Sequence, residues 1–178
     1  MELLKQLQNR RSVRVYTQEE IAQEKLEAIV QAALLGPSSR GVYPAEYIVV
    51  RNRASLDALS RCKKGAGLLK GAAAAIVVIG NRMLSDAWIE DCSIAMMLMQ
   101  LQAQELGIGS CWVQCRERVY EEAENGEKIS TDSYVRHLLN IPDGYAVEAI
   151  LALGMPAQAL SAHPLPDVHT QKVHEEKF

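Results

Sequence analysis

From Glu90 to Leu106 the chain reads EDCSIAMMLMQLQAQEL. Placed on a helix, Ile94, Met96, Met97, Leu98 and Leu101 extend around most of the circumference instead of forming one stripe. Such a helix must be covered on nearly all sides, and one layer of neighbouring elements rarely surrounds a helix in a chain this small. Two kinds of cover satisfy the requirement. Either a partner subunit packs on the side that the chain's own elements leave bare, or the helix runs through the core of a single subunit; periodicity alone does not separate the two.

The rest of the chain supplies the layers. Leu3, Leu4 and Leu7 stand at helical spacing in residues 2–8, and TQEE at 17–20 reads as a capping box opening a second helix through Leu35. Pro37 ends that helix, and PSSRGVYP to Pro44 is a loop rich in turn formers and hydroxyls. AEYIVV at 45–50 reads as a strand, and AAAAIVVIG at 72–80 is apolar without alternation, the mark of a central strand buried on both faces. GIGSCWVQC at 107–115 reads as a glycine stop followed by a short strand, SYVRHLLN as a helix ending before Pro142, and VEAILALG at 147–154 as the last strand. The reading is a single domain over 1–178, with residues 155–178, which carry Pro156, Pro164 and Pro166, as an extended C-terminal tail.

Several function classes lose support. Net charge is −3 with a pI near 5.8, which gives no global attraction to nucleic acid. No apolar run approaches the roughly 20 residues of a membrane span, and MELLKQLQNRR lacks the apolar core of a secretory signal, so the expected compartment is the cytoplasm. The motifs H-E-x-x-H, G-x-S-x-G, G-x-x-x-x-G-K-[ST] and G-x-G-x-x-G are absent. Cys62, Cys92, Cys111 and Cys115 lack zinc-ribbon spacing and read as free thiols, so no metal is expected. His137, His163, His169 and His174 have no nucleophile nearby in sequence, and the last three lie in the tail.

What remains is NRRSVRVY at 9–16, where Arg10, Arg11 and Arg14 surround the hydroxyl of Ser12. An extended backbone there sends Ser12, Arg14 and Tyr16 to one side and Arg11, Val13 and Val15 to the other. A short basic cluster is ordinarily a solvated surface patch. Guanidinium forks also match phosphate oxygens in pairs, and PSSRG offers a second, separate set of hydroxyls for a long ligand.

NRRSVRVY, ALLGPSSRGVYPAEYIVV, EDCSIAMMLMQLQAQELGIGSCWV and LLNIPDGYAVEAILALGMP, taken together and in this order, resemble the successive blocks of the nitroreductase family across almost the whole chain. The resemblance implies an α+β fold with a central, mostly antiparallel sheet flanked by helices, an intertwined homodimer, and FMN bound at the interface. Arg10, Arg11, Ser12 and Arg14 match the segment that holds the FMN phosphate and ribityl chain, with Arg14 near flavin N1 and O2. Pro37, Ser38 and Ser39 match a loop that reaches the flavin from the other subunit. Trp112, Val113, Gln114 and Cys115 match a strand end whose backbone lines the ring near N5.

Some positions depart from the family pattern. Gly41 stands where members usually carry Asn, and Tyr43–Ala45 replaces a Gln-Pro-Trp run. Cys115 takes the place of a small residue, often glycine, and is read as inert packing. The tail lacks the usual Lys or Arg of the phosphate site, leaving only His163 or Lys172, and the short stretch between Arg82 and Glu90 suggests an open substrate site. The implied activity is ping-pong transfer from NADH or NADPH through the flavin to a nitroaromatic, quinone or similar small acceptor, with no side chain in a catalytic role. The alternatives are a flavin carrier or sensor without turnover, and a cofactor-free dimeric scaffold.

Overall fold

A computed structural model describes residues 2–122, 128–168 and 172–178. Among them the helices are α1 (Leu3–Asn9), α2 (Gln23–Leu34), α3 (Arg53–Leu59), α4 (Trp88–Glu105) and α5 (Thr131–Leu139). The strands are β1 (Ala45–Val50), β2 (Ala74–Asn81), β3 (Gly109–Gln114), β4 (Val119–Glu122), β5 (Lys128–Ser130) and β6 (Tyr145–Gly154). Four of these form one sheet in the order β1-β2-β6-β3, every neighbouring pair antiparallel, and β4 and β5 form a separate two-stranded antiparallel sheet. The expected α+β architecture with an antiparallel sheet is therefore present.

The two inner strands explain their own composition. All of β2 except Asn81 and all of β6 except Tyr145 are buried, so neither strand has a solvent face on which to alternate. One face of the sheet carries α2 and α4, packing Leu26, Ile29, Met96 and Met99 over Ile76, Val78 and Leu151. The other carries α3, α5 and a short 3-10 turn at Gly67–Gly71, packing Leu56, Leu59, Leu69 and Val135 over Val77, Ile150 and Ala152.

The N-terminal segment closes the free edge of β3. Ser12 pairs with Ser110 in parallel and Val13 donates its amide to the Ser110 carbonyl at 2.9 Å. Further on, Tyr16 pairs with Pro156 and Thr17 donates to the Met155 carbonyl at 2.9 Å. Two glycines make this approach possible: a Cβ on Gly109 would lie 2.9 Å from Val13, and one on Gly154 would lie 2.6 Å from the Tyr16 ring.

One expected helix start is corrected. TQEE does not cap α2, which begins at Gln23 behind Ala22. The Thr17 hydroxyl instead accepts from the Glu19 amide at 3.3 Å in a local turn, because the backbone of 16–17 is already committed to the tail and Ile21 is drawn into the core. The tail beyond Gly154 carries no helix or strand among its described residues; His169 lies outside them.

Candidate functional site

The basic segment takes its shape from its apolar neighbours. Arg10 ends α1, its amide bonded to the Gln6 carbonyl at 2.8 Å, which places a cation at the negative end of that helix. Val13 and Tyr16 are buried as anchors, and the Tyr16 hydroxyl donates to the Val13 carbonyl at 2.7 Å. Between these anchors Arg14 stays exposed and donates to the Ser12 carbonyl at 3.2 Å. Arg10, Ser12 and Arg14 all approach the Cys111 thiol: burial pushes that thiol up, while the two guanidiniums and the Ser12 hydrogen bond pull it back down.

Arg11 goes elsewhere, as the alternation of side chains requires. Its guanidinium donates to the Ser161 carbonyl of the tail. It lines a cavity of about 210 Å³ with Gln104 and Gly107, while Ser12 and Arg14 line a neighbouring one of about 170 Å³; Gln158 and Leu160 border both. Among the described residues, Arg40, Arg61, Lys70, Arg116 and Arg136 pair with carboxylates, whereas neither Arg10 nor Arg14 does so. Arg14 and the Ser12 hydroxyl at an open cleft, with the Arg10 guanidinium close to the same Cys111 thiol, fit a phosphate group.

The loop after α2 is held by a residue that sequence reasoning missed. Asp91, buried in the first turn of α4, accepts from the Ser38 hydroxyl at 2.6 Å and from the Ser39 amide at 3.2 Å. Ser38 Oγ in turn accepts from the Tyr43 amide at 2.8 Å. The hydroxyl of Ser38 is thus engaged inside its own chain, while Pro37 lies exposed beside it. Gly41 has φ +67°, the left-handed region where glycine is favoured and Asn is the best-tolerated alternative, so glycine here preserves the backbone and gives up only the amide side chain. Tyr47 lies near the same carboxylate: its phenol is pushed up to about 12, chiefly by burial, then by Cys92 and Asp91.

The end of β3 forms a third cluster. The Trp112 indole donates to Gln114 Oε1 at 2.7 Å, and Gln114 Nε2 donates to Glu148 Oε1 at 3.3 Å. The Cys115 amide is taken by the Glu148 carbonyl at 3.1 Å. Ser110 turns its carbonyl outward to Val13, so antiparallel alternation turns the amides of Trp112 and Gln114 toward the same outer edge, with Val113 facing β6 between them. The Cys115 side chain lies in the core under α5, its thiol donating to the Val113 carbonyl at 3.7 Å, and the neighbouring Cys62 thiol, then burial, keeps it neutral. That is a packing position.

The structure does not bring all predicted residues together in one chain. Asp91, which holds Ser38 and Ser39, sits in the first turn of α4, whereas Gln104, which shares a cavity with Arg11, sits in its last. At 1.5 Å per residue the two are separated by about 20 Å along the helix. Between them the side chains of Ile94, Met97, Leu98 and Leu101 are only partly covered.

The chain is similar to proteins of one family along almost its whole length. Residues 7–155 match the nitroreductase family pattern. A protein from Archaeoglobus fulgidus assigned by name to the NADH dehydrogenase/NAD(P)H nitroreductases is 36% identical to this chain, covering 99% of each. Among solved structures, an FMN-dependent nitroreductase from Clostridium difficile R20291 superposes with a TM-score of 0.92 at 43% identity, covering 99% of this chain and 100% of that one. Another, from Parabacteroides distasonis and named for the same NADH dehydrogenase/NAD(P)H nitroreductase activity, has a TM-score of 0.88 at 30% identity and covers 98% of each chain. The chain belongs to the nitroreductase family.

Proposed function

We propose that this protein is a homodimeric oxidoreductase that holds FMN between its subunits and passes electrons from NADH or NADPH to a small acceptor such as a nitroaromatic or quinone, by a ping-pong route. The observation that carries the reading is the gathering of Arg10, Ser12 and Arg14 at the start of β3 with, among the described residues, no carboxylate in an ion pair with either guanidinium. FMN, when bound, supplies the hydride-accepting chemistry that the side chains here lack. Arg10 and Ser12 would hold its phosphate, while Arg11 fixes the tail through the Ser161 carbonyl. Arg14 would set positive charge near the ring, and the outward amides of Trp112 and Gln114 would be available to it as donors.

The dimer answers the length of α4. Pairing two copies antiparallel along this helix covers the partly exposed Ile94, Met97, Leu98 and Leu101, and it carries the Pro37–Ser39 loop of one copy toward the arginines of the other. The domain spans 1–178, with 155–178 as its extended tail. No helix among the described residues is long and apolar enough to cross a membrane. The four free, buried cysteines suit a reducing compartment, and we place the protein in the cytoplasm.

Anaerobic titration tests the activity. The purified, FMN-loaded protein should lose its oxidised-flavin absorption on addition of NADH or NADPH and recover it with a nitroaromatic or quinone. A bound flavin that neither nucleotide bleaches would make the protein a carrier instead.

A further inference from the structure

Glu148 is a carboxylate at 2% exposure inside an otherwise apolar strand. The register of β6 against β2 slips at this point: Val78 pairs with Ala149 and Ile79 with Val147, so Glu148 is the extra residue of a β-bulge. Bulges re-aim side chains, and this one brings the carboxylate to the α4 side of the sheet, near Cys92, whose thiol is raised to about 12 by burial and then by Glu148 and Asp91. Glu148 grips the end of β3 in two ways. Its carbonyl accepts the amides of Cys115 at 3.1 Å and Arg116 at 3.0 Å. Its carboxylate accepts Arg116 Nε at 3.0 Å and Gln114 Nε2 at 3.3 Å, and Gln114 then fixes the Trp112 indole at 2.7 Å. Burying an acid this deeply is costly even when it is paired, and an apolar side chain would pack in the same place without that cost.

We propose that Glu148 is a positioning residue, which through Gln114 and Arg116 fixes Trp112 and the end of β3, the edge whose amides would meet the flavin. The inference rests on the FMN reading above, and its test separates the two. Trp88 and Trp112 are the two tryptophans of the chain, so in a Trp88→Phe background Trp112 reports alone, without cofactor. In that apoprotein Glu148→Ala should lower the fluorescence anisotropy of Trp112, whereas Glu148→Gln, which keeps an acceptor oxygen, should hold it near the parent value. In the FMN-loaded protein, Glu148→Ala should slow the limiting rate of flavin reduction about tenfold or more, with the NADH concentration dependence little changed, as misplacement of reacting groups does. Glu148→Gln should restore most of that rate.

Should Glu148→Ala fail to fold, Gln114→Leu cuts the same chain of bonds next to Trp112 and should reproduce the anisotropy and rate losses. Unchanged anisotropy in the variants that cut the chain, or equal slowing by Ala and Gln at position 148, overturns the positioning role. If Trp112 is released as expected but the parent protein takes up no FMN, the positioning of β3 stands and the FMN reading falls.

Discussion

At the scale of single residues, what separates Arg14 from a surface arginine is where its neighbours hold it. Val13 and Tyr16 are buried on either side, so the backbone between them is fixed and the guanidinium is presented beside Ser12 and Cys111. A fixed positive charge at the ring favours the reduced, anionic form selectively. If Arg14→Met removes about 1.4 kcal/mol of that preference, the two-electron midpoint potential of bound FMN falls by about 30 mV, while affinity for oxidised FMN changes less. Spectroelectrochemical titration of wild type, Arg14→Lys and Arg14→Met checks this; equal midpoints in all three would remove the guanidinium from the ring. Buried acids make a second residue-scale prediction. The Cys92 thiol and the Tyr47 phenol are each raised to about 12, chiefly by burial. Because the folded state holds these protons more tightly than the unfolded chain, the stability they contribute is complete below pH of about 9 and is lost as pH rises toward 12. The urea midpoint should therefore fall between pH 9 and 11, with a shallower fall in Cys92→Ala; a flat midpoint in wild type would contradict the assignment.

At the scale of elements, the sequence was most legible where burial is complete. The unbroken apolar runs of β2 and β6 and the glycine stop before β3 mark real strands, and α4 runs within two residues of its expected start. The short helix α3 escaped notice because only Leu56 and Leu59 mark its inner face. TQEE misled because a capping box is a local signal, overridden here by pairing of residues 16–17 with the tail. Arg10, Arg11, Ser12 and Arg14 stand out in the sequence as one basic segment, from which the structure turns Arg11 toward the tail, but the Asp91 clasp on Ser38 spans 53 residues of sequence and leaves no local mark beyond an acid in the first turn of an apolar helix. Glu148 was hidden by the bulge, since a register slip has no signature in VEAILALG. The apolar surface of α4 carries the element-scale prediction. Ile94 is 39% exposed in the protomer, so Ile94→Glu should leave the fold intact while weakening subunit association by about 2 kcal/mol per copy or more. Light scattering and flavin fluorescence, followed together on dilution, should show the variant dissociating at higher concentration than wild type and releasing FMN as it does so. A monomer that retains FMN would detach α4 from the site.

At the scale of the whole molecule, the proposed function makes one chain the bearer of two half-sites. The arginine segment with the β3 edge lies toward one end of the α2/α4 layer and the Pro37–Ser39 loop toward the other, joined by a helix about 27 Å long. In the proposed dimer a second copy turned end for end would bring opposite halves together, and it would cover the apolar face of α4 that its own sheet leaves bare. The direct measurement is subunit complementation. An Arg10→Ala/Arg14→Met chain and a Ser39→Trp chain, each unable to hold FMN as a homodimer, are mixed after partial unfolding, refolded together and assayed for bound flavin. If each site draws its arginines from one subunit and its serine loop from the other, the mixed dimers regain one intact site and turn yellow with FMN that NADH or NADPH bleaches. If each chain builds its site alone, every site in the mixture carries one defect and the mixed dimers stay colourless, which would contradict the account.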